Sequence, residues 1–162
     1  MMPDYLEADA CRCCGTRSLE CVLDLGLQPL ANSYLAEKTA LAAYPLELFV
    51  CSECFHNQLG VAVDPDLMFR NYLYVSGTSR TLRDHFASFA RDVLHWFETR
   101  PHRILDLACN DGTLLDAFRS HGCSVEGVDP ASNLVQIARG KGLRIVEGFW
   151  PAVKSNVDGP FD

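Results

Sequence analysis

The spacing of apolar residues divides the chain into two stretches with different patterns. Up to about Asn71 the apolar runs are short, as at residues 48–50, and glycine and proline interrupt them. This pattern predicts a small β-rich, loop-rich module that buries little apolar core of its own. From Ser79 to Thr99, apolar residues instead recur at helical spacing with charged residues between them. That spacing predicts an amphipathic helix, which Pro101 would follow.

From Arg103 onward, short apolar strands alternate with helical segments. Residues 104–107, 124–129 and 143–147 have the composition of buried strands. A helical segment follows the first strand and ends at Gly122, and another begins at Pro130. Glycine is common just after a helix and proline at its first turn. Strands that alternate with helices predict a parallel α/β sheet. Three strands are few for a free-standing domain, and Phe161 and Asp162 resemble the start of a fourth, so we expect a truncated sequence.

Composition narrows the class of protein. The chain is 48% apolar and 22% charged, which is typical of a soluble globular protein. A net charge of −7 without lysine and arginine clusters argues against a nucleic-acid-binding surface. No segment approaches the roughly 20 apolar residues of a membrane helix, and the N-terminus lacks the features of a secretory signal. We therefore expect a cytoplasmic protein with neither a nucleic-acid nor a membrane partner, and this composition does not exclude a small-molecule substrate.

Four of the eight cysteines form two Cys-x-x-Cys pairs, Cys11 with Cys14 and Cys51 with Cys54. A tight turn within each pair can direct both sulfurs toward one ion, and two such turns complete a tetrahedral site that suits Zn²⁺. Because four thiolates leave no open position for water or substrate, we expect the zinc to be structural.

Other uses of these cysteines remain open at this stage. They could be ordinary reduced cysteines, or a redox pair, although neither pair lies in a thioredoxin-like unit. Cys13 could replace a neighbour as ligand, and Cys21 and His56 are weaker alternatives. Cys109 and Cys123 are expected to be packing residues of the α/β part.

The loop after the first predicted strand is a candidate cofactor site. An adenosyl cofactor at the carboxyl edge of a parallel sheet needs a loop whose backbone it can approach closely. Glycines usually provide this, and here only Gly112 is present. Ala108 is small, however, and Asn110 tolerates a left-handed backbone. As a glycine fingerprint the loop is poor.

Two carboxylates strengthen this hypothesis. Asp106, at the end of the first strand, is unhelpful to a dinucleotide pyrophosphate but suits a cofactor with a methionine ammonium and a sulfonium. Asp129 ends the second strand at about the offset where an acid meets ribose hydroxyls. Either aspartate alone would more often be a loop or capping residue, as we expect for Asp111. Together, at matching strand ends, they favour S-adenosylmethionine (SAM).

Four segments resemble the class I SAM-dependent C-methyltransferases that act on nucleotide-linked deoxysugars and carry an N-terminal zinc-binding domain. The first is the cysteine quartet, and the second is the Gly-x-Gln-Pro-Leu-Ala-Asn run at residues 26–32. The third is the Tyr-x-Tyr-x-Ser run at residues 72–76. The fourth is the pair of loops at residues 109–115 and 127–133, which are similar to the family's two cofactor loops.

The resemblance implies a zinc-binding domain followed by the first half of a Rossmann-like SAM methyltransferase fold. It also implies methyl transfer to a sugar carbon next to a ketone, in a nucleotide-linked keto-deoxysugar. The implied zinc ligands are Cys11, Cys14, Cys51 and Cys54. The implied cofactor-binding residues are Asp106, Ala108, Asn110, Gly112, Asp129 and Pro130, with Tyr74 and Ser76 from the tyrosine-rich segment.

The family's catalytic His–Glu segment follows its fourth strand, so the catalytic base is expected C-terminal to Asp162 and is assigned to no residue here. Four histidines, His85, His95, His102 and His121, do not match that segment. Gln28 and Asn32 could hold turns as easily as a substrate, and Tyr72 and Tyr74 could be packing residues.

We therefore expect three parts: a zinc-binding domain at 1–71, a linker with the amphipathic helix at 72–102, and a partial SAM-binding domain at 103–162. One alternative is a non-catalytic zinc-binding interaction module with a remnant nucleotide-binding fold. A small NAD-dependent oxidoreductase is a third, disfavoured by Asp106 and the missing G-x-G-x-x-G.

Overall fold

A computed structural model describes residues 4–31, 34, 37, 39–97 and 103–162. The chain forms two compact units, Met1–Met68 and Phe69–Asp162. Four residues discussed above lie outside the described residues: Asn32, Thr99, Pro101 and His102. The three domain limits stated above remain a prediction.

The first unit is built from antiparallel strands. Strand β1 (Tyr5–Glu7) pairs with β5 (Val61–Val63). Strands β2 (Leu19–Pro29), β3 (Ala43–Cys51) and β4 (Asn57–Leu59) form a three-stranded sheet in the order β2-β3-β4. A short helix, α1 (Pro65–Phe69), ends this part of the chain. The predicted β-rich character is confirmed, although β2 and β3 are longer than the short apolar runs suggested.

The first unit buries few large apolar side chains. Within its described part, Tyr44 and Val61 are buried, and the ring of Tyr5 packs edge-to-face on Tyr44. Strand β2 exposes its apolar residues, with Leu27 retaining 67% of its accessible surface. The apolar core of the first unit is therefore too small to keep this unit folded by itself, since small domains depend on additional constraints such as a bound metal ion or disulfides.

The second unit has the predicted alternating pattern. Its elements are α2 (Arg80–Trp96), β6 (Arg103–Leu107), α3 (Thr113–Ser120), β7 (Ser124–Asp129), α4 (Ser132–Gly140) and β8 (Arg144–Glu147). The strands are parallel in the order β6-β7-β8. The Ser79 side chain caps α2 by accepting the Leu82 N–H at 3.3 Å. The helix ends at Trp96, three residues before the predicted end.

Two apolar clusters form the core of this unit. One includes Leu115 from α3 and Val135 from α4, both fully buried. The other joins Phe118 of α3 to Ala90 of α2. Cys109 lies in the first cluster and Cys123 in the second, which confirms their prediction as packing residues. No helix among the described residues is long and apolar enough to cross a membrane.

The free edge of β6 is partly lined by the end of the chain. The Asp162 N–H donates to the Arg103 carbonyl at 3.1 Å, and the Arg103 N–H donates to the Asp162 carboxylate at 2.9 Å. The guanidinium of Arg103 lies over the ring of Phe161, 5.1 Å from its centroid.

Candidate functional site

The four paired cysteines meet at one point of the first unit. Their Sγ atoms all lie within 4.8 Å of one another. The Cys11 and Cys54 sulfurs are 3.6 Å apart, and those of Cys14 and Cys51 are 3.7 Å apart. Each close contact therefore joins one residue from each pair, as a shared central ion would require.

The two Cys-x-x-Cys turns have the same backbone geometry. The Gly15 N–H donates to the Cys11 carbonyl at 2.8 Å, and the Phe55 N–H donates to the Cys51 carbonyl at 2.9 Å. Gly15 has φ +77° and Phe55 has φ +59°. Phenylalanine rarely adopts this left-handed conformation, so the second turn is strained where the first is relaxed.

Backbone N–H groups and neighbouring thiols set the proton affinities of this cluster. The N–H of Cys14 lowers the pKa of Cys11 to about 6, against a smaller opposing effect of burial. At Cys54 the His56 N–H lowers the pKa, but the surrounding thiols and burial outweigh it and raise the pKa to about 12. One sulfur is thus already disposed to ionise, while thiols this close resist losing several protons unless a cation compensates.

The cluster fits Zn²⁺. Four sulfurs about 2.3 Å from a central ion, at tetrahedral angles, lie about 3.8 Å apart. The closest sulfur pairs nearly match this separation, and none of these four cysteines is in a disulfide bond. The alternative ligands Cys13, Cys21 and His56 do not belong to this group; within the described ranges no other cluster of metal-ligating side chains is found.

In the second unit, the loop between β6 and α3 takes the backbone conformations of a glycine-rich loop without the glycines. Ala108 has φ +62°, Asn110 φ +53° and Gly112 φ +75°. Every second residue is therefore left-handed, and two of the three are not glycine. Asparagine tolerates this conformation, but alanine is strained in it.

Hydrogen bonds hold this loop against the end of β7. The N–H groups of Ala108 and Cys109 donate to the Val128 carbonyl at 2.8 and 3.1 Å. One Asp129 carboxylate oxygen accepts the Asn110 N–H at 2.7 Å, and the other accepts the Ala131 N–H at 2.8 Å. Asp129 thus connects the loops that follow β6 and β7.

A cavity of about 410 Å³ opens where these loops meet. This size lies within the range of small-molecule sites. Its lining is mostly apolar and consists of Phe69, Tyr72, Leu107, Ala108, Asn110, Val128, Asp129, Pro130, Ala131, Gly148, Phe149 and Trp150.

The cavity brings together half of the predicted cofactor residues. Ala108, Asn110, Asp129 and Pro130 line it. The wall, as far as the described residues define it, does not include Asp106, Gly112, Tyr74 or Ser76. Asp106 instead lines a separate cavity of about 240 Å³, whose wall also includes Phe89 and Asp162.

Burial favours the neutral form of both strand-end carboxylates. Burial raises the pKa of Asp106 to about 6, and the negative charge of Asp129 adds to this effect. Burial also raises the pKa of Asp129, although the N–H groups of Ala131 and Asn110 oppose the shift. A cationic ligand nearby would relieve this electrostatic cost.

Gly112 and Asp111 fix the conformation of the loop through contacts with residues that do not line the cavity. A Cβ on Gly112 would lie 2.3 Å from the Leu143 Cδ1, so a larger residue would force this buried side chain to shift. Asp111 accepts the Thr113 hydroxyl at 2.7 Å and pairs with the Lys141 ammonium at 2.9 Å. The N-cap of α3 is Gly112, and no side chain caps this helix, so Asp111 is a loop residue rather than the cap; its Oδ1 also accepts the Thr113 N–H at 3.3 Å.

The sequence reasoning missed the aromatic wall of the cavity. Phe149 and Trp150 follow β8, and Phe69 and Tyr72 precede α2. The guanidinium of Arg70 lies 5.0 Å from the ring centroid of Phe149. The available signal was position, because residues just after a third parallel strand reach the same sheet edge as those after the first two.

Tyr74 and Ser76 approach the loop through their backbone. The Asn110 side chain accepts the Ser76 N–H and donates to the Tyr74 carbonyl, each at 3.0 Å. The Tyr74 side chain is about half exposed, whereas Ser76 is buried.

Two family models match the chain in succession. One, described as "Putative zinc binding domain", matches residues 11–69. The other, described as "Methyltransferase domain", matches residues 76–162, more than half of the chain.

Individual relatives agree with these matches. The C-methyltransferase NovU of Streptomyces niveus is 29% identical over 148 residues, which cover 89% of this chain and 35% of NovU. The chain therefore spans about a third of that relative's length.

Solved methyltransferases resemble the chain over about half its length. The plantazolicin methyltransferase BamL, in complex with a triazolic desmethylPZN analog and S-adenosylhomocysteine (SAH), has 17% identity and a TM-score of 0.44, covering 51% of this chain and 34% of BamL. A SAM-dependent methyltransferase from Archaeoglobus fulgidus has 23% identity and a TM-score of 0.36, covering 45% of this chain and 31% of its own.

Proposed function

The chain belongs to the family of SAM-binding methyltransferase domains, and on that premise we propose that it supplies the zinc-binding and cofactor-binding parts of a C-methyltransferase. The observation that carries this proposal is the joining of two cofactor loops by Asp129 at the mouth of an apolar cavity.

The cavity suits an adenosyl group. Each Asp129 carboxylate oxygen accepts one backbone N–H and keeps further acceptor capacity, which two ribose hydroxyls could use. The left-handed residues Ala108 and Asn110 bring the loop backbone to the cavity wall. The rings of Tyr72, Phe149 and Trp150 offer apolar surface to a purine.

The charge of the site suits a cationic cofactor. Bound SAM would supply a methyl group on a positively charged sulfur. Burial is the main reason that the pKa values of Asp106 and Asp129 are raised, and the negative charge of Asp129 adds to the effect at Asp106. We keep Asp106 in the proposed cofactor set on this ground, acting through its charge, while Gly112, Tyr74 and Ser76 would shape and hold the loop.

In the first unit, Cys11, Cys14, Cys51 and Cys54 would hold Zn²⁺ as a structural ion. With all four positions taken by sulfur, the ion would have no site for a substrate. Reduced thiols persist in the cytoplasm, which is the compartment we propose.

The proposed acceptor is a carbon next to the ketone of a nucleotide-linked keto-deoxysugar. Support comes from the order of the four sequence segments and from the likeness to NovU, itself a C-methyltransferase. Such a transfer needs a base to remove the α-proton and a methyl donor held in line. The cavity residues described here would orient the donor, and we assign the base to none of them.

Isothermal titration of the zinc-loaded chain with SAH, SAM and NADH tests the cofactor. We expect heat from SAH and SAM and none from NADH. Asp129→Ala should weaken SAH binding by about tenfold or more, because it removes a charged acceptor. Asp92→Ala, an exposed change on α2, is the matched control and should bind SAH normally. Heat from NADH without heat from SAH would overturn the proposal.

A further inference from the structure

Residues 70–76, which we call the strap, cross the two loops that border the cavity. The strap is fastened at three places along its length. The Ser132 N–H donates to the Arg70 carbonyl at 3.1 Å, at the start of α4. The other two fastenings are made by asparagine side chains, Asn133 and Asn110.

Both polar atoms of the Asn133 side-chain amide form hydrogen bonds with the backbone of Tyr72. Its Oδ1 accepts the Tyr72 N–H at 3.1 Å, and its Nδ2 donates to the Tyr72 carbonyl at 2.8 Å. Only a primary amide offers one donor and one acceptor in this arrangement, so neither aspartate nor a small apolar residue can reproduce it.

Asn110 does the same further along the strap, where it bonds the backbone of Tyr74 and Ser76. Its own N–H is held by Asp129. Asn110, in the loop after β6, and Asn133, in the first turn of α4, therefore both bond this segment, which connects the two.

The strap places an aromatic side chain at the cavity. Tyr72 lines the cavity, and its ring lies 6.2 Å from that of Phe69, which lines it too. Fixing the Tyr72 backbone on both sides restricts where its side chain can point, which reduces the ordering that a ligand must bring about.

We propose that Asn133 is a positioning residue for the cofactor, acting through Tyr72; the inference rests on the proposed SAM function. Its amide does not line the cavity in the described part of the chain. Its contribution to binding therefore comes from holding the Tyr72 wall in place.

The decisive variant is Asn133→Asp. Aspartate is favourable in the first turn of a helix, where Asn133 lies, so α4 should keep or gain stability. The carboxylate, however, cannot donate to the Tyr72 carbonyl and would repel it. A purely structural role predicts a lower melting temperature with unchanged affinity, whereas the positioning role predicts a loss of affinity while α4 stays folded.

The test is a double-mutant cycle read by titration with SAH and by the melting temperature without ligand. We expect Asn133→Asp and Tyr72→Ala each to weaken SAH binding about tenfold, with little further loss in the double variant, because both remove the same wall. Asn156→Asp, the same chemical change outside the cavity wall, should bind like the unsubstituted chain.

Trypsin gives a readout independent of affinity. The strap contains one cleavage site, after Arg70. In the ligand-free chain, Asn133→Asp should speed cleavage there several-fold, and in the unsubstituted chain SAH should slow it.

Unchanged SAH affinity of Asn133→Asp, or losses that simply add in the double variant, would overturn the positioning role while leaving the proposed function standing. An unsubstituted chain that binds no SAH would overturn the proposed function and the positioning role together.

Discussion

Different physical interactions stabilise each of the two units of this chain. The first exposes most of the apolar residues of β2, and its most completely buried side chains include two cysteines of the metal cluster, Cys11 and Cys51. The second unit buries apolar side chains of three helices and a parallel sheet in two clusters. Its order follows from apolar burial, the main favourable contribution to folding.

The difference shows that the same chain uses cysteine in two ways. In the first unit, four thiols converge on one point and face one another. In the second, Cys109 and Cys123 are packed among apolar side chains, and burial raises the pKa of Cys109 further above the ordinary value. Spacing distinguishes the two uses, because only the thiols in Cys-x-x-Cys turns are directed at a common centre.

The largest expected difference between the two units is their response to loss of zinc. Structural zinc contributes about 10–16 kcal/mol of apparent binding free energy in small zinc domains. Cys51→Ser should therefore abolish the one expected zinc per chain and the amide protection of the first unit, while the second unit stays folded. Metal analysis and hydrogen exchange measure both effects.

The control is Cys21→Ser, an exposed cysteine outside the cluster. It should retain zinc and protection. Full protection of the first unit in a zinc-free Cys51→Ser protein would show that apolar packing suffices there.

A cavity made in the apolar core should destabilise the second unit and leave the first unit unchanged. Leu115 is fully buried. Leu115→Ala should lower the free energy of unfolding of this unit by about 2–5 kcal/mol, since it removes apolar contacts and leaves a void. Denaturant unfolding followed by hydrogen exchange would assign the loss to residues 69–162.

Ile137→Ala on α4 is the matched surface change, because Ile137 is 40% exposed. Its cost should be clearly smaller. Equal costs at both positions would contradict the assignment of Leu115 to the core.

Between pH 7 and pH 4, acid should weaken the first unit, and it should restore the stability that the charge of Asp106 costs the second unit. Thiolates take up protons and release zinc, which weakens the first unit. Asp106 has its pKa raised from 3.8 to about 6 in the folded chain, so its contribution to stability is fully present below about pH 4 and is lost as the pH rises through 6. Asp106→Asn should therefore stabilise the second unit by about 2 kcal/mol at pH 7 and by little at pH 4.

Thermal unfolding at several pH values measures this difference, with Asp92→Asn as the exposed control. A stabilisation by Asp106→Asn that does not change between pH 4 and pH 7 would contradict the raised pKa.

The smallest expected effects come from substitutions at the left-handed residue of each Cys-x-x-Cys turn. Gly15→Ala should destabilise the zinc-loaded first unit by about 1 kcal/mol, because its φ is positive while space for a Cβ is available. Phe55→Gly should stabilise it by a similar amount, since its ring is 75% exposed and its backbone is strained. Melting temperatures that move in the same direction for both variants would contradict the equivalence of the turns.

Much of the fold could be predicted because its signals are local. Helical spacing identified α2, and apolar runs separated by turn residues identified β6, β7 and β8. The cysteine quartet could be predicted from spacing alone. The lengths of β2 and β3 could not, because β2 exposes most of its apolar side chains and neither strand has a clean alternation of buried and exposed residues.

The cavity was predictable only in part. Asp129 and Ala108 lie on the wall because the ends of neighbouring parallel strands meet at one edge. Tyr72 comes from a segment far away in sequence, and its place depends on an amide contact with Asn133 that no periodicity encodes. Asp106 matched the motif but lines another cavity, because side-chain direction at a strand end is set by packing.

The central claim is that the loops after β6 and β7 form a SAM site. Hydrogen exchange of the zinc-loaded chain, with and without saturating SAH, tests it most directly. We predict that SAH slows exchange in residues 106–112 and 129–133 and in the strap. Exchange that SAH leaves unchanged in these three segments would contradict the claim.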